Sequence, residues 1–479
     1  MEEKKPFYLT TTIPYVNAAP HIGFALEIVQ ADTIARYKRL RGYDVFFNFG
    51  SDEHGQKIWQ KANESRQTPQ EYVDEYAAKF SALKEQLNLT YDAFVRTTDP
   101  HHKAAAQEMW RRCKAAGDIY KKNYEIKYCV GCELEKVDSE LVNGKCPLHP
   151  NLELEIRIEE NYFFRISKYQ DRLRQLYERT DFVVPDHRLN EMRSFADKKG
   201  FEDFSISRLK AKMSWGVEVP DDPEHVMYVW FDALVNYIST LGWPEDAAKF
   251  SHFWNGTKDC IQLAGKDQVR QQAAMWQAIL MSAELPPTGQ ILIHGFITSS
   301  GEKMSKSLGN VIEPTALVEA YGTDALRYFL LRHIHPTEDS DFTIEKFKEV
   351  YNADLANGLG NLIARIMRLS ETHLEKGTRP ALHDFPSAYT EALDVYRYND
   401  ALVFVWGEVQ FLDRMITESA PFKVVKTDPK AGRELIFKLT QDLYHIAELL
   451  APFMPETAEK IKTAVVENKK PENLFLRKE

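Results

Sequence analysis

Apolar residues in this chain follow two periods, and the change of period divides it. Phe7-Tyr8-Leu9-Thr10-Thr11-Thr12 is β-prone, while from Ile22 to Leu40 apolar side chains recur at Ile22, Leu26, Val29, Tyr37 and Leu40, close to the spacing of one helix face. Gly42 supplies a helix stop, and Val45-Phe46-Phe47-Asn48-Phe49 reads as a second strand ended by Gly50. Strand, helix, strand predicts a βαβ unit and therefore a parallel sheet. Ligands of such sheets bind beyond the carboxyl ends of the strands, where the loops 13–21 and 50–54 lie.

Between about 116 and 225 the pattern breaks into short strands and turns, and this stretch reads as an insertion. Strand-like runs return at 226–230, 260–264 and 290–294, with amphipathic patterns over 267–283 and 314–321, so a sheet interrupted by the insertion is completed. After Phe342 only helical patterns remain, at 343–376, 388–418 and 429–450, with a shorter one after Pro455. Pro380, Pro386, Pro421, Pro452 and Pro455 punctuate them, which predicts an up-and-down helical bundle.

A chain of 479 residues holds more than one core, and 44% hydrophobic with 28% charged residues is ordinary globular composition. The start is charged, with no apolar segment behind it, and no run approaches the ~20 apolar residues that span a bilayer. The expected compartment is the cytoplasm, with no membrane contact. A net charge of −10 excludes a uniformly basic nucleic-acid coat but leaves room for a local basic surface that steers a polyanion.

Five cysteines, Cys113, Cys129, Cys132, Cys146 and Cys260, are odd in number with three bunched, which argues for a metal site over a disulfide framework. Cys129 and Cys132 form a C-x2-C turn; Cys146 and His149 follow as C-x2-H, with Gly131 and Gly144 easing the knuckle turns. This donor set matches tetrahedral zinc, and four protein ligands leave no open position, so the metal is structural. The alternative is a set of reduced, unliganded thiols. Cys113 and Cys260 read as small core residues.

Two motifs carry candidate chemistry. Lys303-Met304-Ser305-Lys306-Ser307 lies in a polar loop with Gly301 and Gly309 at its ends, a cationic clamp suited to polyphosphate. Pro20-His21-Ile22-Gly23 opens the first helix, where free N–H groups and the helix dipole favour phosphate. Alone, the second is a buried histidine with a turn glycine, and the first an ordinary solvated loop. Together they resemble the signature pair of class I aminoacyl-tRNA synthetases, and their surroundings resemble the methionyl branch. The resemblance spans about 6–455. It implies a Rossmann-type catalytic domain in two halves, 1–115 and 226–342, split by a zinc-knuckle connective insertion at 116–225. An all-α anticodon-binding bundle at 343–479 follows.

The resemblance also implies the reaction: methionine attacks the α-phosphorus of ATP, pyrophosphate leaves, and the methionyl group passes to methionine tRNA with release of AMP. Magnesium accompanies ATP. ATP-binding residues would be His21, Gly23, Phe24, Lys303, Met304, Ser305, Lys306 and Ser307. His21, Lys303 and Lys306 would be catalytic, the lysines stabilising charge that grows on the leaving pyrophosphate. Ile13, Tyr15, Trp230, Ala233, Tyr237 and His294 would line the methionine side-chain pocket, with Asp52 on the ammonium. Without that resemblance Asp52 reads as a loop cap, and Trp230 and Tyr237 as core. Asn361 and Arg365, four apart on one helix face, would read the anticodon with Phe422 stacking on a base.

Three places depart from the family. Phe24 replaces the usual second histidine of the helix-start signature and cannot donate a hydrogen bond. Gln271 and Gln272 stand where a histidine follows Gly265-Lys266-Asp267. Phe422 replaces a stacking tryptophan. The first two support the alternative, a tRNA-binding relative of the same fold without full catalysis; the clamp lysines, Asp52 and the pocket aromatics count against it. The 116–225 stretch is too small for the hydrolytic editing domain of the isoleucyl, valyl and leucyl relatives. The chain ends soon after the bundle, which leads to an expectation of a monomer.

Overall fold

The computed structural model describes residues 4–129, 134–136, 141–147, 150–304, 310–377, 379–380 and 384–479. Six strands build the central sheet, in the order Ala93–Arg96, Asp44–Ser51, Pro6–Thr11, Cys260–Gly265, Gln290–His294, Val183–Val184. Every pairing in it is parallel. Phe7, Tyr8 and Leu9 are all fully buried, as expected of a strand covered on both faces. Phe7 and Leu9 face one core with the helix Ile22–Leu40, and Tyr8 faces a second core with Trp254 and Trp276. The helix spans the residues that the period predicted, and Gly42 ends its turn at φ +83°.

The run 226–230 is not a strand of this sheet. Asp222–Met227 pairs antiparallel with Ser207–Leu209 and Glu218–Val219 in a separate three-stranded sheet, and the chain turns helical at Val229–Ala233. A short apolar run does not distinguish strand from helix by period, and the strand stops where the aromatic residues begin. Val183–Val184 supplies the sixth strand, from within the 116–225 stretch. Other strands of that stretch form a four-stranded antiparallel sheet, in which Ile119–Cys129 pairs with Glu155–Phe164.

The carboxyl-terminal region is helical. A continuous helical run covers Ile344–Val350, a π-helical segment Tyr351–Gly360, and Asn361–His373. The helix expected over 388–418 is broken into Ser387–Asp394 and Tyr398–Ser419, because Tyr396 takes φ +62° and sends its hydroxyl to Gln290 on the central sheet. Pro429–Leu450 and Pro455–Glu467 complete the bundle. Arg327 joins it to the sheet: fully buried, it donates to the carbonyls of Leu87, Pro452 and Phe453 at 2.9–3.0 Å and meets Asp32 at 2.8 Å. Asp32 belongs to the same helix that His21 caps, so the middle of that helix is fixed by a buried ion pair with its remaining hydrogen bonds satisfied.

Candidate active site

The carboxyl ends of Pro6–Thr11, Asp44–Ser51, Cys260–Gly265 and Gln290–His294 open onto one cavity of about 1180 Å³. His21, Gly23 and Phe24 line it from the start of the first helix. His21 is the N-cap, and its Nδ1 accepts from the Gly23 N–H at 3.1 Å. The ring proton therefore sits on Nε2, which is left as a donor. Burial lowers the imidazole pKa to about 4, so the ring is neutral at physiological pH. A Cβ on Gly23 would lie 2.8 Å from the His21 ring, so glycine is what lets the ring fold back over the helix start. Phe24 stacks obliquely on His21 at 4.3 Å between centroids and meets Phe80 edge-on at 5.4 Å. The phenyl ring is thus a wall that holds the imidazole in place.

Glu27, further along the same helix, escaped the sequence reading. It accepts from the Thr12 N–H at 2.8 Å, the Thr12 hydroxyl at 2.6 Å and His294 Nε2 at 2.8 Å. His294 Nδ1 donates to the Gly295 carbonyl at 2.7 Å. Burial opposes charge on His294, but the Glu27 carboxylate outweighs it and holds the imidazole pKa above its ordinary value. His294 lines the cavity beside Gly265 with both nitrogens engaged. A carboxylate among Ala25, Leu26 and Ile28, on the buried side of a helix, was the available signal.

Asp52 sits where Asp44–Ser51 ends, in a bridge to Tyr15 secured by Asp52 N–H to the Pro14 carbonyl at 2.9 Å and Val16 N–H to the Asp52 carbonyl at 3.1 Å. Its side chain is buried, and Oδ1 has no hydrogen-bond partner among the described residues. Burial first, then Asp232 and Glu53, push its pKa well above the ordinary carboxylate value. A buried carboxylate with an open oxygen is a receptor for a cation or a donor.

Ile13 and Tyr15 line the cavity from the loop after the first strand, and Trp230, Ala233 and Tyr237 from the segment beyond Met227. A buried His54–Asp232 contact of 2.6 Å ties that segment to the loop carrying Asp52. Tyr15 Oη accepts from the Ile58 N–H at 3.4 Å, and a Cβ on Gly55, at φ +108°, would come within 2.9 Å of that oxygen. Tyr237 is buried, whereas Trp230 is 38% exposed at the wall. Gln272 donates to Tyr237 Oη at 2.8 Å.

The lysine-bearing loop is anchored at this edge. Ile297–Ser299 follows His294 and pairs antiparallel with Glu302–Lys303 through a turn at Ser300 and Gly301, both at positive φ. Asp341 accepts from the Gly301 N–H at 2.7 Å and the Thr298 hydroxyl at 2.9 Å. Met304 lines the cavity, 3.9 Å from where a Gly23 Cβ would stand. Ser305, Lys306 and Ser307 lie outside the described residues.

Cys129 ends its strand, and Cys146 follows the tight Val142–Lys145 turn, in which Asn143 and Gly144 have positive φ. Both thiols are buried, although nearby Val142 and Leu152 are exposed. Shielded sulfurs after a tight turn in a segment with little core of its own fit a metal-ligating role. Cys132 and His149 lie outside the described residues, so no group of three ligands stands complete among those described. Cys113 and Cys260 are fully buried, and burial pushes both thiols up to about 12.

In the bundle, Asn361 is exposed and Arg365 half-buried, with its guanidinium on Asp413 of the helix Tyr398–Ser419. That helix leads through Ala420, at φ +41°, into Pro421–Thr427, where Phe422 is 43% exposed.

A family model described as tRNA synthetases class I (M) matches residues 7–153 and 149–367. The methionine–tRNA ligase of Caldanaerobacter subterraneus is 40% identical over 476 residues, covering 96% of this chain and 73% of that protein. The Nostoc methionine–tRNA ligase is 40% identical over 479 residues, covering 96% and 89%. The structure of Mycobacterium tuberculosis methionyl-tRNA synthetase in complex with methionyl-adenylate superposes with a TM-score of 0.86 at 35% identity, covering 99% of this chain and 100% of that one. Its apo form superposes at 0.79 with 33% identity, covering 100% and 99%. Parallel sheet, capped helix, aromatic-walled cavity and sequence agree, and the chain belongs to the methionine–tRNA ligases of the class I tRNA synthetases.

Proposed function

We propose that this chain condenses methionine with ATP to methionyl-adenylate and transfers the methionyl group to methionine tRNA, releasing AMP and pyrophosphate. The observation that carries this is a single cavity holding both the phosphate-ready start of the first helix and the Asp52 carboxylate with its open Oδ1. Asp52 takes the methionine ammonium, which restores the ionised state that burial disfavours. Ile13, Tyr15, Trp230, Ala233, Tyr237 and His294 enclose the thioether chain. The substrate carboxylate then attacks the α-phosphorus in line with the departing pyrophosphate. His21 donates from Nε2 to a phosphate oxygen and Gly23 admits the nucleotide, while Phe24 packs against the imidazole. Lys303 and Lys306, with the Met304, Ser305 and Ser307 backbone, close on the leaving pyrophosphate, and magnesium enters with ATP as part of the substrate. No protein group forms a covalent bond.

Residues 1–115 and 226–342 act as the catalytic unit, 116–225 as the connective insertion and 343–479 as the anticodon unit. Asn361, Arg365 and Phe422 contact the anticodon of methionine tRNA. The enzyme works as a cytoplasmic monomer; among the described residues no helix is long and apolar enough to cross a membrane.

ATP–pyrophosphate exchange tests the first step and charging of methionine tRNA the second. Exchange requires methionine and is not supported by leucine, isoleucine or valine; equal support from leucine or isoleucine refutes the reading. In the same preparation, Asn361→Ala and Arg365→Ala lower charging about tenfold or more, the scale of a lost base contact, and leave exchange nearly unchanged. A comparable loss in both assays contradicts the anticodon role.

Cys129, Cys132, Cys146 and His149 hold one structural zinc, which supplies no chemistry to the reaction and fixes the connective segment. Metal analysis gives close to one zinc per chain, lost in the Cys129→Ser, Cys132→Ser double variant. Metal content unchanged by those replacements rules the site out.

A further inference from the structure

Behind the cavity wall lies a second buried carboxylate that neither motif explains. Asp232 is fully buried, and its Oδ2 meets Nδ1 of His54, itself 1% exposed, at 2.6 Å. Nδ1 faces a carboxylate and therefore carries a hydrogen and donates. Asp232 Oδ1 has no hydrogen-bond partner among the described residues. Neither side chain lines the cavity, but each belongs to a segment that does. His54 is two residues past Asp52, and its backbone N–H favours the ionised Asp52 carboxylate. Asp232 stands between Trp230 and Ala233 in the helix Val229–Ala233. Burying a carboxylate costs hydration that one such contact barely offsets, and apolar side chains would join the two segments as well. Charge is the property that apolar side chains lack, and the group beside this charge is Asp52.

We infer that Asp232, held by His54, is a positioning residue for the substrate ammonium: the pair fixes the loop that carries Asp52 and sets a second negative charge beside it, so that Asp52 keeps a proton until the ammonium replaces it. The inference rests on the methionine-activating reading above. Asp52 is faced by Glu53 and His54 from its own loop, by Tyr15 from the loop after the first strand, and by Asp232 and Tyr237 from beyond Met227. Burial holds both tyrosines above their ordinary range, so they stay neutral. Glu53 is matched by Arg96 at 2.6 and 2.9 Å, and His102, on the far side of His54, is kept neutral by burial, which lowers its pKa to about 3. After burial itself, Asp232 is the strongest influence raising the Asp52 pKa. Burial raises the Asp232 pKa in turn and His54 opposes it, so the imidazole is what favours the charge on Asp232.

The test reads the methionine KM in ATP–pyrophosphate exchange against pH, at saturating ATP so that protonation of His21 near pH 4 on the nucleotide side does not enter. In the parent enzyme this KM climbs on acidification. Asp232→Asn keeps the size and an acceptor for His54 but removes the charge, so Asp52 gives up its proton more readily and the climb moves to lower pH. Where the parent KM stands about tenfold above its neutral plateau, that of the variant stands about threefold above its own plateau or less, and the plateau itself rises by no more than about tenfold. The KM for ATP stays the same. A climb at the same pH in both proteins overturns the inference, since a merely structural role lowers activity without moving the profile. If Asp232→Asn fails to fold, His54 decides. His54→Ala, which removes the donor that favours the Asp232 charge, moves the climb to lower pH; His54→Asn, whose side-chain amide donates from the place of Nδ1, leaves it where the parent has it. Identical profiles in the two His54 variants overturn the inference. Methionine-dependent exchange with no acid climb in the parent KM refutes the inference and leaves the proposed function standing. No methionine-dependent exchange at all refutes both.

Discussion

Replacing Asp52 by asparagine raises the KM for methionine by about two to three orders of magnitude, because losing one partner of a buried charge pair costs about 3–5 kcal/mol. The KM for ATP changes little, since Asp52 lies at the end of its own strand and the phosphates are held at the His21 helix start. The pH dependence identifies the interaction. Burial, Asp232 and Glu53 hold the Asp52 pKa well above its ordinary value, and the ammonium binds only the ionised form. On acidification through that raised pKa the methionine KM climbs in the parent enzyme, and it stays flat in Asp52→Asn. Parallel KM profiles in the two proteins would show that another group holds the ammonium.

The same residue has the opposite effect on the empty protein. Its folded-state pKa is raised, so between the unfolded and folded values the native state binds more protons than the unfolded state. Stability from this group therefore falls as pH rises across that window and stays lower above it. The amide of Asp52→Asn does not ionise, so the unliganded variant melts higher than the parent at neutral pH, while methionine stabilises the parent and hardly affects the variant. A cation-receptive pocket is a cost to the apo fold that the substrate offsets.

The parts of the fold visible in sequence are those where one physical signal dominates. The strand at Phe7, the helix from Ile22 to Leu40 and the strand at Val45 have long, unmixed periods, and the structure reproduces them. Val183–Val184 is two residues long and joins the sheet through tertiary pairing alone, which no local pattern encodes. Tyr396 looks like any bundle residue, yet its left-handed backbone and its bond to Gln290 break a helix that the period runs through. The site divides likewise. His21, Gly23, Asp52 and the aromatic walls stand out because motifs mark them, and the structure brings them to one cavity. Glu27 and Gln272 carry no motif: each is a polar residue inside a buried run, whose meaning depends on a partner 267 or 35 positions away. Gln271 and Gln272 read in sequence as a departure from the family's histidine, and the structure shows Gln272 donating to Tyr237. Phe24, read as a lost donor, packs on the donor that remains.

Lys306→Ala lowers the rate of adenylate formation by about two orders of magnitude or more, on the scale of one lost charge-stabilising donor. It changes ATP affinity far less. In bound ATP the β- and γ-phosphates are partly neutralised by magnesium, and full charge reaches the pyrophosphate only as the α–β bond breaks. A group that meets the charge at that moment lowers the barrier, whereas one that binds both states equally does not. The hairpin that leads to Lys306 is fixed: Glu302–Lys303 is paired to Ile297–Ser299, and Asp341 pins the turn between them. His21 cannot take over the task, because its imidazole, with a pKa of about 4, is neutral at physiological pH and contributes a dipole instead of a charge. Single-turnover measurement at rising ATP separates the cases. A rate that stays depressed at saturating ATP is the expected result; a defect removed entirely by high ATP would mean that Lys306 serves ground-state binding alone.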